Sequence, residues 1–136
     1  MDLFQSMKIS AAGLRAQASR MRVIAENLAN ANSTTDSKDK DPYRRKIPTF
    51  RQEFDRQLQA TIVRADRVKL DQTDFKKRYE PGHPAADERG YIKTPNINPL
   101  IETVDMREAQ RSYEANLNVI SAARRILSGT LDILRS

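Results

Sequence analysis

The chain has 136 residues, of which 38% are hydrophobic and 31% charged, with a formal net charge of +6, no Cys, no Trp and a single His. That length is one domain's worth, but so low an apolar share predicts a small core, drawn mainly from the two ends where the apolar residues concentrate. Without Cys, disulfides, thiolate nucleophiles, Cys-based zinc sites and iron–sulfur ligation are excluded.

Lys8 and Arg15 interrupt the first segment, so no unbroken apolar run of a secretory signal is present. No stretch reaches the roughly 20 apolar residues of a membrane span. The expectation is a protein that stays inside unless it leaves by a route that reads no cleavable peptide.

All six prolines lie between Pro42 and Pro99. Proline removes a helix donor and clashes with the preceding turn, so the partition predicts a long helix, an irregular centre and a second long helix. In the first flank Phe4, Met7, Ala11, Leu14, Ala18, Met21, Ala25 and Leu28 recur at alternating spacings of three and four. Such a heptad seam predicts supercoiling against a partner helix. Ala12, Ala16, Ser19 and Val23 form a second stripe on another face. The helix is expected to run out across Asn27, Asn30 and Asn32, because Asn tolerates the left-handed conformation that ends helices.

The centre offers little chemistry. Asp36, Asp39 and Asp41 alternate with Lys38 and Lys40 but lack the Gly and terminal Glu of an EF-hand, so a solvated, mobile linker is expected. Asn32-Ser33-Thr34 matches a glycosylation sequon too short to carry weight. Arg44-Arg45-Lys46, beside Tyr43, has the composition of a phosphate site, with a solvated face or a protein contact the favoured reading. Phe50, Phe54 and Leu58 suggest a short helix, Thr61–Leu70 and Asp74–Glu80 suggest a strand hairpin, and Pro81-Gly82-His83-Pro84 reads as a turn containing an ordinary loop histidine. The charge excess lies here too: residues 36–100 hold 15 basic and 11 acidic groups, well mixed.

Asn98-Pro99 reads as an N-cap followed by proline at the first helical position. Beyond it Met106, Ala109, Tyr113, Asn116, Ile120, Ala123, Leu127, Thr130 and Leu134 repeat the seam, broadened by Leu117 and Leu131, with Asn116 and Thr130 weakening it or fixing its register. Val119, Ala122, Ile126, Gly129 and Ile133 form a second stripe. The predicted fold is mainly α: two terminal helices, each about 40 Å long, pack as an antiparallel coiled-coil-like hairpin. Residues 1–32 and 100–136 then make a discontinuous helical domain, and residues 33–99 a central segment with a small β-hairpin. One hairpin covers one stripe per helix, so the remaining stripes are expected to meet other subunits, the alternative being that the central segment folds over them. Apolar residues near both ends of the sequence point to order gained on assembly. The expected subunit interface is Phe4, Met7, Leu14, Met21, Val23, Leu28, Tyr113, Leu117, Val119, Ile120, Ile126, Leu127, Ile133 and Leu134. No catalytic, cofactor or metal residues are expected.

Ser10-Ala11-Ala12-Gly13-Leu14-Arg15-Ala16-Gln17 and the run Arg20 to Thr34 resemble the amino-terminal signature of flagellar rod, hook and hook-associated proteins. Tyr79 to Ile92, Pro95 to Pro99 and Glu102 to Asn116 resemble the flagellar basal-body rod protein C (FlgC) family, and the resemblance extends from Phe4 to Leu134. Its motif positions are Asn27, Asn30, Asn32, Asp105, Tyr113 and Asn116. Ser33-Thr34-Thr35-Asp36 departs from the Thr and Gly pair common after the Asn motif, which alters the expected loop shape and leaves the function intact. The resemblance implies a structural subunit of the proximal rod, polymerising into the periplasmic tubular drive shaft that transmits torque. It implies as partners further copies, proximal and distal rod proteins, the junction with the MS ring and the flagellar type III export apparatus, which exports without signal cleavage. Neither nucleic acid nor a small-molecule substrate is expected. The rival readings are a basic helical hairpin that binds nucleic acid or regulates, predicting affinity that falls steeply with salt, and a small enzyme, predicting a pocket of convergent acids and bases.

Overall fold

A computed structural model describes residues 2–136. The fold is mainly helical: α1 spans Leu3–Ala29 and α2 spans Pro99–Arg135, 27 and 37 residues. At about 1.5 Å per residue α2 is about 55 Å long, longer than its seam alone suggests. The Asp2 Oδ1 accepts from the Gln5 N–H at 2.6 Å and starts α1. At its other end Asn30 donates from Nδ2 to the Glu26 carbonyl at 2.8 Å, and the chain leaves through turns at Asn30 to Asn32. Asn98 caps α2 as its sequence predicts, its Oδ1 accepting from the Leu100 N–H at 3.1 Å with Pro99 in the first helical position.

Between the helices lie β1 (Lys46–Ile47), β2 (Phe50–Asp55), β3 (Ala60–Ala65), β4 (Lys69–Leu70), β5 (Lys76–Tyr79) and β6 (Tyr91–Thr94). They form three antiparallel pairs, β1 with β4, β2 with β3 and β5 with β6. The helix expected from Phe50 to Leu58 is instead strand β2 and the turn after it. Phe50 and Phe54 share a face under period two as well as under a helical period, and here cross-strand partners decide: Phe50 faces Ala65 and Phe54 faces Thr61. The Asp55 Oδ1 closes the turn, accepting from the Gln57 and Leu58 N–H groups at 2.9 and 3.1 Å, and Gln59 completes it with φ 51°.

The hairpin expected between Thr61–Leu70 and Asp74–Glu80 does not form. The first segment divides between β3 and β4, and β5 pairs with β6, Tyr79 opposite Tyr91. Strand β6 alternates exposed Tyr91 and Lys93 with buried Ile92 and Thr94, a half-buried strand pattern. The Pro81 to Pro84 turn is present, and the His83 Nδ1 accepts from the Ala85 N–H at 3.0 Å. Gly90 takes φ 85°, and a Cβ there would lie 2.8 Å from the Tyr79 ring, so glycine is required by both backbone and packing.

The chain divides into two compact units. One contains the chain up to Met21, Thr49–Arg67 and Arg107–Ser136; the other contains Arg22–Pro48 and Val68–Met106. The first unit buries Ala12, Ala16, Ile62, Ala109 and Ala123. Its small residues allow close approach: a Cβ on Gly13 would stand 2.9 Å from the Asn116 side chain, and Arg20 pairs with Glu108 at 3.6 Å. The second unit buries Val23, Ile24, Ala85, Ile92 and Ile97, together with the polar Asn27, Thr94, Asn96 and Glu102.

Candidate functional site

Two arrangements stand out, an open apolar surface on the helices and a buried polar cluster in the second unit. The open surface follows from which helical stripes the chain covers. Along α2 the predicted seam turns inward as far as Leu127: Ala109 and Ala123 are buried, Met106, Tyr113, Asn116, Ile120 and Leu127 are half-buried, and its last members Thr130 and Leu134 are exposed. Its second stripe faces out, with Val119 45%, Ile126 59% and Ile133 76% exposed. Leu117, Leu131 and Leu134 are exposed as well.

On α1 the stripes exchange roles. Phe4, Ala18 and Ala25 of the predicted seam are exposed and Met7, Leu14, Met21 and Leu28 half-buried, whereas Ala12, Ala16 and Val23 are buried. Ala12 and Ala16 share a groove in the first unit with Val63 and Ala65 of β3. Val23 shares one in the second unit with Val68 and Leu70. Central strands therefore border this stripe of α1 within each unit, and the stripe is buried in the single chain instead of waiting for other subunits. Val23, expected at the subunit interface, is closed off inside its own unit. The flat row of Ala and Val is closed in, while the bulkier row is only partly covered, Phe4 exposed and Met7, Leu14, Met21 and Leu28 half-buried.

The polar cluster is centred on Asn27 and Glu102, 0% and 1% exposed. The Asn27 amide fills all four of its hydrogen-bonding positions. Its Nδ2 donates to the Lys46 carbonyl at 2.8 Å and to the Glu102 Oε2 at 3.2 Å. Its Oδ1 accepts from the Lys46 N–H at 2.9 Å and from the Tyr43 hydroxyl at 3.1 Å. The Glu102 Oε1 accepts from the Arg45 Nε. The Arg45 guanidinium also reaches Asp71 at 3.4 Å and Asp105 at 3.9 Å. Asn96 closes the cluster: its Oδ1 accepts from the Arg45 N–H at 2.8 Å, and its Nδ2 donates to the carbonyls of Asp71 and Thr73, both at 3.1 Å.

The electrostatics follow from this geometry. Burial disfavours the Arg45 charge, but Glu102 and Asp71 outweigh it and hold the guanidinium above its usual range. Hydrogen bonds from the Thr73 N–H and hydroxyl, with Arg45, hold Asp71 below the ordinary carboxylate value despite partial burial. Lys46 donates to Glu26 at 2.9 Å, which lowers Glu26 and raises Lys46. Arg44 lies 4.1 Å from the Phe75 ring centre and donates to the Asp71 and Thr73 carbonyls at 2.8 and 2.9 Å.

The basic cluster Arg44-Arg45-Lys46 is thus consumed internally, neither a solvated face nor a phosphate site. One usable sign of this is present in the residues: acids and amides (Asp71, Asn96, Glu102, Asp105) are available to Arg44 and Arg45, but nothing in their spacing announces convergence. Of the motif positions, Asn27 and Asp105 belong to the cluster. Asn30 caps α1, the Asn116 Nδ2 donates to the Ser112 carbonyl at 2.9 Å, Tyr113 is half-buried, and Asn32 is exposed.

Comparison with known proteins places the chain among flagellar rod proteins. Residues 7–36 match the family model described as flagella basal body rod protein, and residues 88–133 match that described as flagellar basal body rod FlgEFG protein C-terminal. The chain is 46% identical over 134 residues to the flagellar basal-body rod protein FlgC of Agrobacterium fabrum, covering 98% of this chain and 96% of that protein. It is 40% identical over 132 residues to that of Aquifex aeolicus, covering 97% of each. With that of Bacillus subtilis it shares 34% identity over 148 residues, covering 98% and 99%. The chain belongs to the FlgC family of flagellar basal-body rod proteins.

Proposed function

We propose that the chain is a subunit of the proximal rod, polymerising through its terminal helices into the tubular shaft that transmits torque. Its family makes it a structural rod protein of the flagellar basal body rather than an enzyme, and one that associates with other rod components. The nucleic-acid reading finds no support, since the basic cluster that suggested it is paired within the fold. In the proposed arrangement α1 and α2 pair antiparallel as a coiled-coil-like hairpin. Supporting this within the first unit, Gly13 lies against Asn116 and Arg20 against Glu108, so rising numbers on α1 meet falling numbers on α2. Residues 1–32 and 100–136 act as the assembly core, and residues 33–99 project and contact neighbours.

The observation that carries the proposal is the outward stripe of α2. Fully burying a Val, Leu or Ile side chain is worth about 1.5–3 kcal/mol, and Val119, Ile126 and Ile133 together with Leu131 and Leu134 remain exposed. A contiguous face of that kind is what packing between subunits covers. By extension from the family resemblance, the subunit crosses to the periplasm through the flagellar export apparatus without cleavage and lies between the MS-ring junction and the distal rod.

The test is Ile126→Asp in cells whose only copy carries the substitution. Because Ile126 is open to solvent, the purified variant should unfold within about 0.5 kcal/mol of the parent. Burying a lone carboxylate between subunits costs several kcal/mol, so rods should be absent from isolated basal bodies and swimming lost. Normal motility would overturn the proposal. Leu14→Asp and Ile120→Asp should also abolish assembly.

A further inference from the structure

The groove in the first unit that Ala12, Ala16, Val63 and Ala65 share has a second component. Arg15 of α1, Arg51 of β2 and Arg64 of β3 line it as well, around an open volume of about 270 Å³. The β2–β3 register sets Arg51 directly opposite Arg64, and like charges in that position repel. Side chains alternate along a strand, so both arginines share the hairpin face of Ile62, which is buried in the unit. They stand at the rim where that face opens, their side chains 56% and 46% exposed. Glu53 is the one carboxylate paired with them among the described residues, 3.2 Å from Arg51 and 3.0 Å from Arg64. Arg15 has no ion-pair partner among the described residues, and the positions three and four away on α1 are Ala11, Ala12, Ala18 and Ser19, none of them acidic. Three positive charges thus meet one negative charge, and the fold leaves an excess of two unanswered.

We propose that this groove is a docking site for an acidic segment of a neighbouring protein, whose Asp or Glu side chains insert between Arg15, Arg51 and Arg64. Guanidinium groups bind carboxylates through paired N–H donors, and Glu53 already takes such a place between Arg51 and Arg64. The groove is smaller than the roughly 300–1,000 Å³ of a small-molecule pocket, and its apolar lining matches the methylene stems of side chains. The neighbour is a different protein and not a second copy. Every copy carries a net charge of +6, so a second copy brings more of the charge already in excess. The proposal goes beyond the rod-subunit reading and rests on it only in placing that neighbour within the rod.

The test combines Arg15→Gln, Arg51→Gln and Arg64→Gln in the full chain. The changes relieve the repulsion between Arg51 and Arg64 and end only exposed ion pairs, which contribute little. The purified variant should therefore keep its helical circular dichroism and melt no lower than the parent. At low salt the parent should bind a fluorescent peptide of alternating Glu and Ala about tenfold or more tighter than its Gln and Ala counterpart. The triple variant should lose that preference, and its amount in isolated basal bodies should fall in cells that have no other copy. Should the triple variant melt lower, Arg15→Gln alone, which breaks no ion pair, should still weaken the preference. Equal binding of the two peptides, a preference that survives the substitutions, or unchanged incorporation into basal bodies would overturn the site. Self-association of the parent that the triple variant loses would make a second copy the occupant and overturn the partner named here. Polyphosphate binding that needs the three arginines when peptide binding does not would overturn the carboxylate assignment. Parent chain missing from basal bodies would overturn the rod reading, and the peptide result would still decide the groove.

Discussion

Asn27→Ala isolates the polar cluster, because the amide it removes serves four partners at once. The Lys46 N–H and carbonyl lose the side-chain partner they share, Asn27, and each such group left unsatisfied in a partly buried place costs about 1–2 kcal/mol. Half-buried Tyr43 can turn its hydroxyl to water, and Glu102 keeps Arg45, so these add less. The sum is about 2–4 kcal/mol, a large part of the 5–15 kcal/mol that typically separates folded from unfolded chains. Urea unfolding of the purified variant, followed by far-ultraviolet circular dichroism, measures it directly. Asn27→Asp sharpens the test, since it places a second carboxylate beside Glu102. That proximity raises the pKa of the new Asp above its unfolded value, so the folded variant holds a proton that the unfolded chain has released. Its stability should therefore improve as the pH falls from 7 toward about 4, where the parent gains nothing. A loss below about 1 kcal/mol for Asn27→Ala, or an Asn27→Asp variant indifferent to pH, would refute the account of the cluster as a structural anchor.

The acid limit of the parent follows from its lowered carboxylates. Glu26 beside Lys46, Asp36 beside Lys40, Asp71 under the Thr73 and Arg45 donors, and Asp87 under the Tyr91 and Arg89 N–H groups all lie below their usual values. Each binds fewer protons folded than unfolded near pH 4, so its contribution is complete above the ordinary carboxylate range and is lost as the pH falls through the lowered folded value. Thermal midpoints should be nearly flat from pH 7 to about 5 and drop below about 4. Gly13→Ala sets a helix-propensity gain of about 0.5–1 kcal/mol against the Asn116 side chain, so its net effect should be near zero. In an Asn116→Ala background the gain should appear in full, giving a coupling of about 1 kcal/mol in a double-mutant cycle.

What was legible in the residues was whatever a local period or a cap dictates. Six prolines confined to the centre and the Asn98-Pro99 pair located both helices, and the inward seam of α2 followed from its spacing. Strand partners were not legible, because Phe50 and Phe54 satisfy helical and strand periods alike and only Ala65 and Thr61 across the pair decide between them. The choice of stripe on α1 failed for a related reason. Periodicity ranks faces by hydrophobicity and favoured the bulky row, whereas the fold closes on the row of small residues, Ala12 and Ala16. The anchor was the least visible of all: Asn27, Arg45, Asp71, Asn96 and Glu102 are distant in sequence, and each alone resembles a surface residue.

Interior and exterior side chains differ in size in a way that links folding to assembly. The first unit closes on Ala12, Ala16, Ala109 and Ala123, with Ile62 its one large fully enclosed aliphatic residue among the buried hydrophobic set. A buried methyl contributes only about 0.8 kcal/mol, so these contacts bring helices close without holding them strongly. Phe4, Ile126, Ile133 and Leu134, which have far more to gain from leaving water, face outward. Under the proposed assembly, much of the apolar surface this unit could still bury is covered only when neighbours arrive. Anything that binds the folded form alone raises its stability by mass action, so in the proposed rod the same helices gain stability from the neighbours that cover them.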